Sequence, residues 1–137
     1  MRLIVIVILL VFTHPTWAKP TELECLAQNI YYEARGEPPL GKLLVAKVTL
    51  NRVKHPRFPK TICAVVFQPH QFSWTSKRHT IKDKQAYQES LELAHLILHS
   101  GVLNLLPDTM LYFHAVHVHP KWPFKKLVQI GNHIFYA

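Results

Sequence analysis

Apolar residues recur at helical spacing over residues 21–36, where Leu23, Leu26, Ala27, Ile30, Tyr31 and Ala34 share one face. Thr21 followed by Glu24 is a capping box with Pro20 ahead of it, which starts the helix. Gly36 and then Pro38-Pro39 predict its end. A second helix is predicted from residue 40 to about 53. Leu43, Leu44, Val45, Ala46, Val48 and Leu50 make it apolar almost all round, the pattern of a central, buried helix. Residues 54–80 carry Pro56, Pro59 and Pro69, with an apolar island over 62–67 long enough for one or two helical turns, and otherwise read as loop. A third long helix is predicted over 82–100, with Tyr87, Leu91, Ala94, Ile97 and Leu98 inward and Gly101 as its stop. Residues 109–114 read as a short strand. Residues 127–130 and 133–136 flank Gly131-Asn132, a hairpin signal. The fold class is therefore α+β: a mainly helical small domain with a short C-terminal antiparallel β element.

The N-terminus reads differently. Arg2 precedes an unbroken apolar run from Leu3 to Phe12, Pro15 breaks it, and Thr16-Trp17-Ala18 offers small residues where a signal peptidase reads. The run is too short to span a bilayer core of about 30 Å as a helix. Residues 1–18 are read as a cleaved signal peptide, with an uncleaved anchor as the alternative, and residues 19–137 as one domain. That makes the protein secreted or periplasmic.

The 137-residue chain has 16 Lys and Arg against 8 Asp and Glu, a formal charge of +8. Such a chain is drawn to anionic surfaces such as cell-wall polymers or lipid headgroups, so peripheral contact with the cell envelope is expected. Nucleic acid is set aside, because the basic residues are scattered and no reader motif is present. Cys25 and Cys63 in an exported chain are expected to pair, closing a loop worth roughly 3–4 kcal/mol. Two buried thiols are the alternative. A zinc site on these cysteines is not expected, since neither belongs to a C-x-x-C pair.

The eight acids narrow the chemistry. Glu22 and Glu24 fall in the first turn of a helix, where they favour the macrodipole. Glu89 and Glu92 lie on the polar side of the third helix. Glu33, Glu37, Asp83 and Asp108 are left. Glu33 falls beside Leu26 on a helical wheel, at the border of the apolar face. Half-burial there raises a carboxyl pKa, as a general acid near neutral pH requires. An ordinary boundary glutamate paired with Arg35 or Arg52 is the competing reading. Glycoside hydrolysis usually takes two carboxyls, for which Glu37 is the possible partner. A lytic transglycosylase manages with one, because a sugar hydroxyl replaces water.

Three of the ten histidines crowd into His114, His117 and His119. On a strand His117 and His119 share a face, and His133 or Asp108 could complete a metal set. No H-E-x-x-H spacing is present, and no metal or other cofactor is expected. Phe72, Trp74, Tyr112, Phe113 and Trp122 lie off the helical core spacing. Flat side chains with a polar edge suit a saccharide groove, with Trp74 and Trp122 the better candidates and core packing the alternative for Phe72 and Phe113.

These residues fall into blocks: Cys25-Leu26-Ala27 through Tyr32-Glu33-Ala34-Arg35-Gly36-Glu37, then Val48-Thr49-Leu50-Asn51-Arg52-Val53 and Phe58-Pro59-Lys60-Thr61-Ile62-Cys63. Gln71-Phe72-Ser73-Trp74, Phe113-His114-Ala115, His119-Pro120-Lys121-Trp122 and Ile130-Gly131-Asn132-His133-Ile134-Phe135-Tyr136 follow. In this order the chain resembles the spore-cortex-lytic (SleB-type) cell wall hydrolases across nearly all of residues 19–137. The resemblance implies a compact domain related to the lysozyme-like transglycosylases, acting on peptidoglycan glycan strands; the chain is expected to be a monomer. It implies Glu33 as catalytic acid/base between N-acetylmuramic acid and N-acetylglucosamine. Arg35, Glu37, Asn51, Phe72, Ser73, Trp74, His114, Trp122 and His133 are implied to bind substrate or order the site. Phe113 stands where the family often has tyrosine, His119 where asparagine is expected and Pro123 where alanine is usual. These departures bear on the product more than on the substrate class. Outright hydrolysis of the same bond class and a non-catalytic wall-binding module are the competing functions. A metal-dependent amidase built on the histidines is a third.

Overall fold

The computed structural model describes residues 18–77 and 79–137. The proposed signal segment thus lies almost wholly outside the described residues. Among those residues, no helix is long and apolar enough to cross a membrane.

Among the described residues four α-helices and three strands follow in order: α1 (Glu22–Ala34), α2 (Pro39–Lys54), α3 (Ile62–Val66), α4 (Lys84–Ser100), β1 (Tyr112–Ala115), β2 (Lys126–Ile130) and β3 (His133–Tyr136). Helix α1 opens on the expected capping box. Thr21 N donates to Glu24 Oε2 at 2.7 Å, and Glu24 N donates to Thr21 Oγ1 at 3.2 Å. Its end differs from expectation. Arg35 caps it in right-handed conformation, and Gly36 does not take a positive φ. The chain instead turns through a bond from Glu37 N to Ala34 O, and Pro38 and Pro39 then start α2. Gly101 does take the left-handed conformation (φ 67°) that stops α4.

The apolar island of the sequence is α3, and Glu22 has a role that its place in α1 did not suggest. Its carboxylate accepts from the backbone N–H of Ile62 (2.5 Å) and Cys63 (3.2 Å), so it caps α3 across the fold. Beside this contact Cys25 and Cys63 form the expected disulfide, with Cα atoms 5.2 Å apart.

Helix α2 is central, as its all-round apolar pattern requires. Ala46 packs into a cluster with Leu26, Ile30, Ile62, Val66, Ala94 and Ile97 from α1, α3 and α4. Its other side packs Leu44, Val45 and Val48 against Ala34, Met110 and Phe135. Two polar contacts lock this arrangement. Thr49 donates to Asn29 between α2 and α1 (2.8 Å), and Lys47, only 3% exposed, reaches Asp108 at 2.5 Å.

The sheet is antiparallel with strand order β1-β3-β2. The Gly131-Asn132 hairpin forms as predicted and β1 pairs with β3, placing Phe113 opposite Phe135 and Ala115 opposite His133. Strand β1 begins three residues later than the pattern suggested and stops at Ala115. His117 and His119 therefore lie beyond it and do not share a strand face.

Candidate active site

A cleft of about 830 Å³ opens where the C-terminal end of α1, the end of α2, the 70–76 loop and the edge strand β1 meet. Glu33, Arg52, Phe72, Ser73, His114, Trp122 and His133 line it, together with Tyr112, Phe113 and Phe124. The volume falls in the usual range of ligand pockets, about 300–1,000 Å³.

Seven of the eight acids are occupied elsewhere. Glu22 caps α3 and Glu24 completes the box with Thr21. Asp83 caps α4 by accepting from Ala86 N, and Asp108 holds Lys47. Glu89 and Glu92 accept from Gln85 and Gln88 on the surface of α4. Glu37 accepts from Asn132 N (2.9 Å) and Nδ2 (3.1 Å) at the hairpin. Glu33 alone among the carboxylates lines the cleft.

The last full turn of α1 puts Glu33 at the cleft wall, and Trp74 fixes its carboxyl. The indole Nε1–H donates to Glu33 Oε1 at 2.9 Å. Trp74 is itself held by stacking against Tyr32 (centroids 4.5 Å apart) and Phe72 (6.2 Å), with Phe67 against its edge. Burial pushes the Glu33 carboxyl up to about 7, while the Trp74 N–H and the positive charge of Arg52 pull it down. The balance leaves a group that can both give and take a proton near neutral pH.

Arg52 is as firmly placed. Its Nε donates to Leu111 O at 2.8 Å and one terminal nitrogen donates to Gln71 Oε1 at 2.9 Å. The guanidinium lies over the rings of Phe58, Phe72 and Tyr112, and burial lowers its pKa to about 10. It ties α2, the 70–76 loop and the residues entering β1 to one point beside Glu33.

The sequence-predicted residues divide. Phe72, Ser73, His114, Trp122 and His133 gather in the cleft with Glu33. Trp74 does not offer a free platform there; it is packed between rings and orients Glu33. Glu37 and Asn51 brace the site from behind. Asn51 Nδ2 donates to the carbonyl oxygens of Pro107 and Met110, fixing the approach to β1. Arg35 is exposed, lies over the Tyr31 ring at 4.9 Å and does not line the cleft. His70, Gln71, Ser76, Val118 and Phe124 line it without having been singled out individually. Phe124 stacks on Tyr112 with centroids 4.0 Å apart, and it too lies off the helical core spacing, the signal that marks Trp122. Trp122, 39% exposed, offers the accessible aromatic surface.

His114 meets the cleft as a ring rather than as a free base. Its Nδ1 lies 2.8 Å from Ala115 O, which can only accept, so Nδ1 carries a proton. Nε2, 2.8 Å from the Tyr136 hydroxyl, then accepts from it in the neutral ring. Among the described residues no three His, Cys, Asp or Glu side chains gather as metal ligands.

A general acid works in its protonated form, so kcat/KM is expected to fall as pH rises through about 7, where Glu33 ionises. Trp74→Phe keeps the ring and removes the N–H that favours the carboxylate. We expect the alkaline limb to move up by about one pH unit. A pH–rate profile with an unmoved limb would contradict the role given to Trp74.

A family model described as Cell Wall Hydrolase matches residues 36–136, a span that begins just after Glu33. The spore cortex-lytic enzyme of Bacillus cereus is 31% identical over 125 residues, which cover 88% of this chain and 46% of that protein. That of Bacillus subtilis is 31% identical over 118 residues, 83% of this chain and 37% of that protein. The chain thus spans less than half the length of these relatives. Among solved structures, the catalytic domain of the Bacillus cereus SleB protein superposes with a TM-score of 0.64 at 28% identity, covering 85% of this chain and 89% of that one. The catalytic domain of the germination-specific lytic transglycosylase SleB from Bacillus anthracis gives 0.65 at 28% identity, covering 90% and 100%. In sequence and in fold, the chain belongs to the Cell Wall Hydrolase family.

Proposed function

We propose that this protein is an exported enzyme that cuts peptidoglycan glycan strands as a lytic transglycosylase, with Glu33 as its single acid/base. The observation that carries the reading is the isolation of Glu33. It is the one carboxylate on the cleft, poised near pH 7, while the other seven have structural partners. An enzyme using two carboxyls needs a second one facing the first across the scissile bond. Glu37, the partner considered from sequence, is committed to Asn132.

In the proposed reaction Glu33 gives its proton to the oxygen bridging N-acetylmuramic acid and N-acetylglucosamine. The bond from that oxygen to muramic C1 breaks, and positive charge develops on the sugar. The muramic C6 hydroxyl then attacks C1 and loses its proton to the Glu33 carboxylate, which restores the acid and leaves a 1,6-anhydro end. The kinship to lytic relatives and the exposed face of Trp122 support a glycan in the cleft. The disulfide fits an oxidising destination outside the cytoplasm, and the excess of basic residues suits an anionic wall.

The test is digestion of purified peptidoglycan by the chain without residues 1–18, with and without a chelator. The expected result is release of sugar-bearing muropeptides that the chelator does not reduce. Free peptides released only without chelator would replace this reading with a metal-dependent amidase.

A further inference from the structure

The hairpin at Gly131-Asn132 does more than close the sheet. Its turn is clamped by Glu37, whose carboxylate accepts from both the backbone and side-chain nitrogens of Asn132. The clamp is close: a Cβ on Gly131 (φ 53°) would fall 1.9 Å from Glu37 Oε2 and 2.9 Å from Pro38 Cδ. Only glycine fits there. The residue that follows is His133, the first of β3, which lines the cleft although it is only 7% exposed.

His133 differs from His114 in its bonding. Both ring nitrogens of His114 are engaged within the protein, whereas Nδ1 of His133 is enclosed with no hydrogen-bond partner. Its ring sits edge-on to Phe113 at 5.1 Å and near Phe135 at 6.1 Å. Enclosing a bare lone pair among aromatic rings is less unfavourable than enclosing an unpaired N–H or a charged ring. That favours the neutral tautomer with its proton on Nε2, and burial lowers the pKa of the ring in the same sense.

We infer that His133 is a substrate-contact residue, a neutral imidazole whose Nε2–H donates to an acetamido or hydroxyl oxygen of the glycan, and that Glu37 is the positioning residue that aims it. This rests on the reading of the cleft as a glycan site. Glu33 exchanges the proton, and His133 holds the sugar in register without exchanging one.

The experiment compares kcat/KM on purified peptidoglycan for the parent, His133→Ala, His133→Gln and Glu37→Ala, with thermal melts of each. Gln carries an N–H near the place of histidine Nε2. His133→Ala is expected to lose roughly 10- to 100-fold, the effect of removing one buried hydrogen bond to substrate. His133→Gln is expected to recover most of that. Glu37→Ala is expected to act through the same contact, so that adding it to His133→Ala brings little further loss. A parallel reading avoids any folding defect. In Glu33→Gln, which retains His133, nitrogen NMR should show Nε2 protonated and Nδ1 bare at pH 7. The Nε2 signal should shift on adding an N-acetylglucosamine oligomer. An Nδ1–H or cationic ring, an unmoved signal, or equal losses in His133→Ala and His133→Gln would overturn the inference. An inactive parent would overturn the glycan reading with it; an active parent with those results overturns this inference alone.

Discussion

Replacing Glu33 with glutamine is expected to cut turnover sharply and to stabilise the fold. The catalytic loss should be on the order of 10²–10⁴-fold, the usual contribution of a positioned acid/base. The gain in stability follows from the same burial. Glu33 holds its proton to about pH 7, against an ordinary value of 4.5. Its folded pKa lies above its unfolded one, so its stability contribution is whole below about pH 4.5 and is lost as pH rises through 7. The buried carboxylate thus costs the parent about 3 kcal/mol at pH 8, and a neutral amide escapes that cost. Melting temperatures of parent and Glu33→Gln should agree near pH 4 and separate progressively above it, with the variant about 10 °C higher at pH 8. The lowered pKa values of His133, Asp108 and Glu24 are common to both proteins and largely cancel in the difference. A variant that is inactive and no more stable at pH 8 would contradict the burial assigned to Glu33.

Removing the disulfide is expected to have the largest effect on stability. The bond joins residues 38 apart, so it restrains a long loop of the unfolded chain, worth about 4 kcal/mol in the loop-entropy account. It also ties α1 to α3 next to the Glu22 cap, where Cys25 is fully buried. The double variant Cys25→Ala, Cys63→Ala should melt about 15 °C lower. Neither cysteine lines the cleft, so kcat well below the melting point should change little. A drop under about 1 kcal/mol in denaturant unfolding would show that the loop is already restrained without the bond.

Much of the fold was legible because its apolar pattern is local. The all-round apolar stretch of α2 requires burial on every side, and the structure gives it two clusters to fill. The capping box at Thr21 and the stop at Gly101 depend on neighbouring residues alone, and both form. What stayed hidden is set by contacts distant in sequence. Glu22 looked like a first-turn acid and instead caps a helix 40 residues away. Trp74 reads as a sugar platform because it lies off the helical core spacing, yet Tyr32 and Phe72 stack against it. The histidine run has a shared face only if a strand carries it past Ala115, where β1 ends. Arg52 reads from sequence as a partner for Glu33, and nothing in its own segment announces that it also ties Leu111 and Gln71 to the cleft.

The central claim is that one carboxylate serves the whole reaction, and the identity of the new glycan end tests it most directly. Purified peptidoglycan should be digested with the parent and with Glu33→Gln, and the soluble products weighed by mass spectrometry. The account predicts muropeptides ending in 1,6-anhydro-muramic acid from the parent and roughly 10²- to 10⁴-fold less of them from the variant. Reducing ends from the parent would mean that water is the nucleophile, and equal products from both proteins would remove Glu33 from the chemistry.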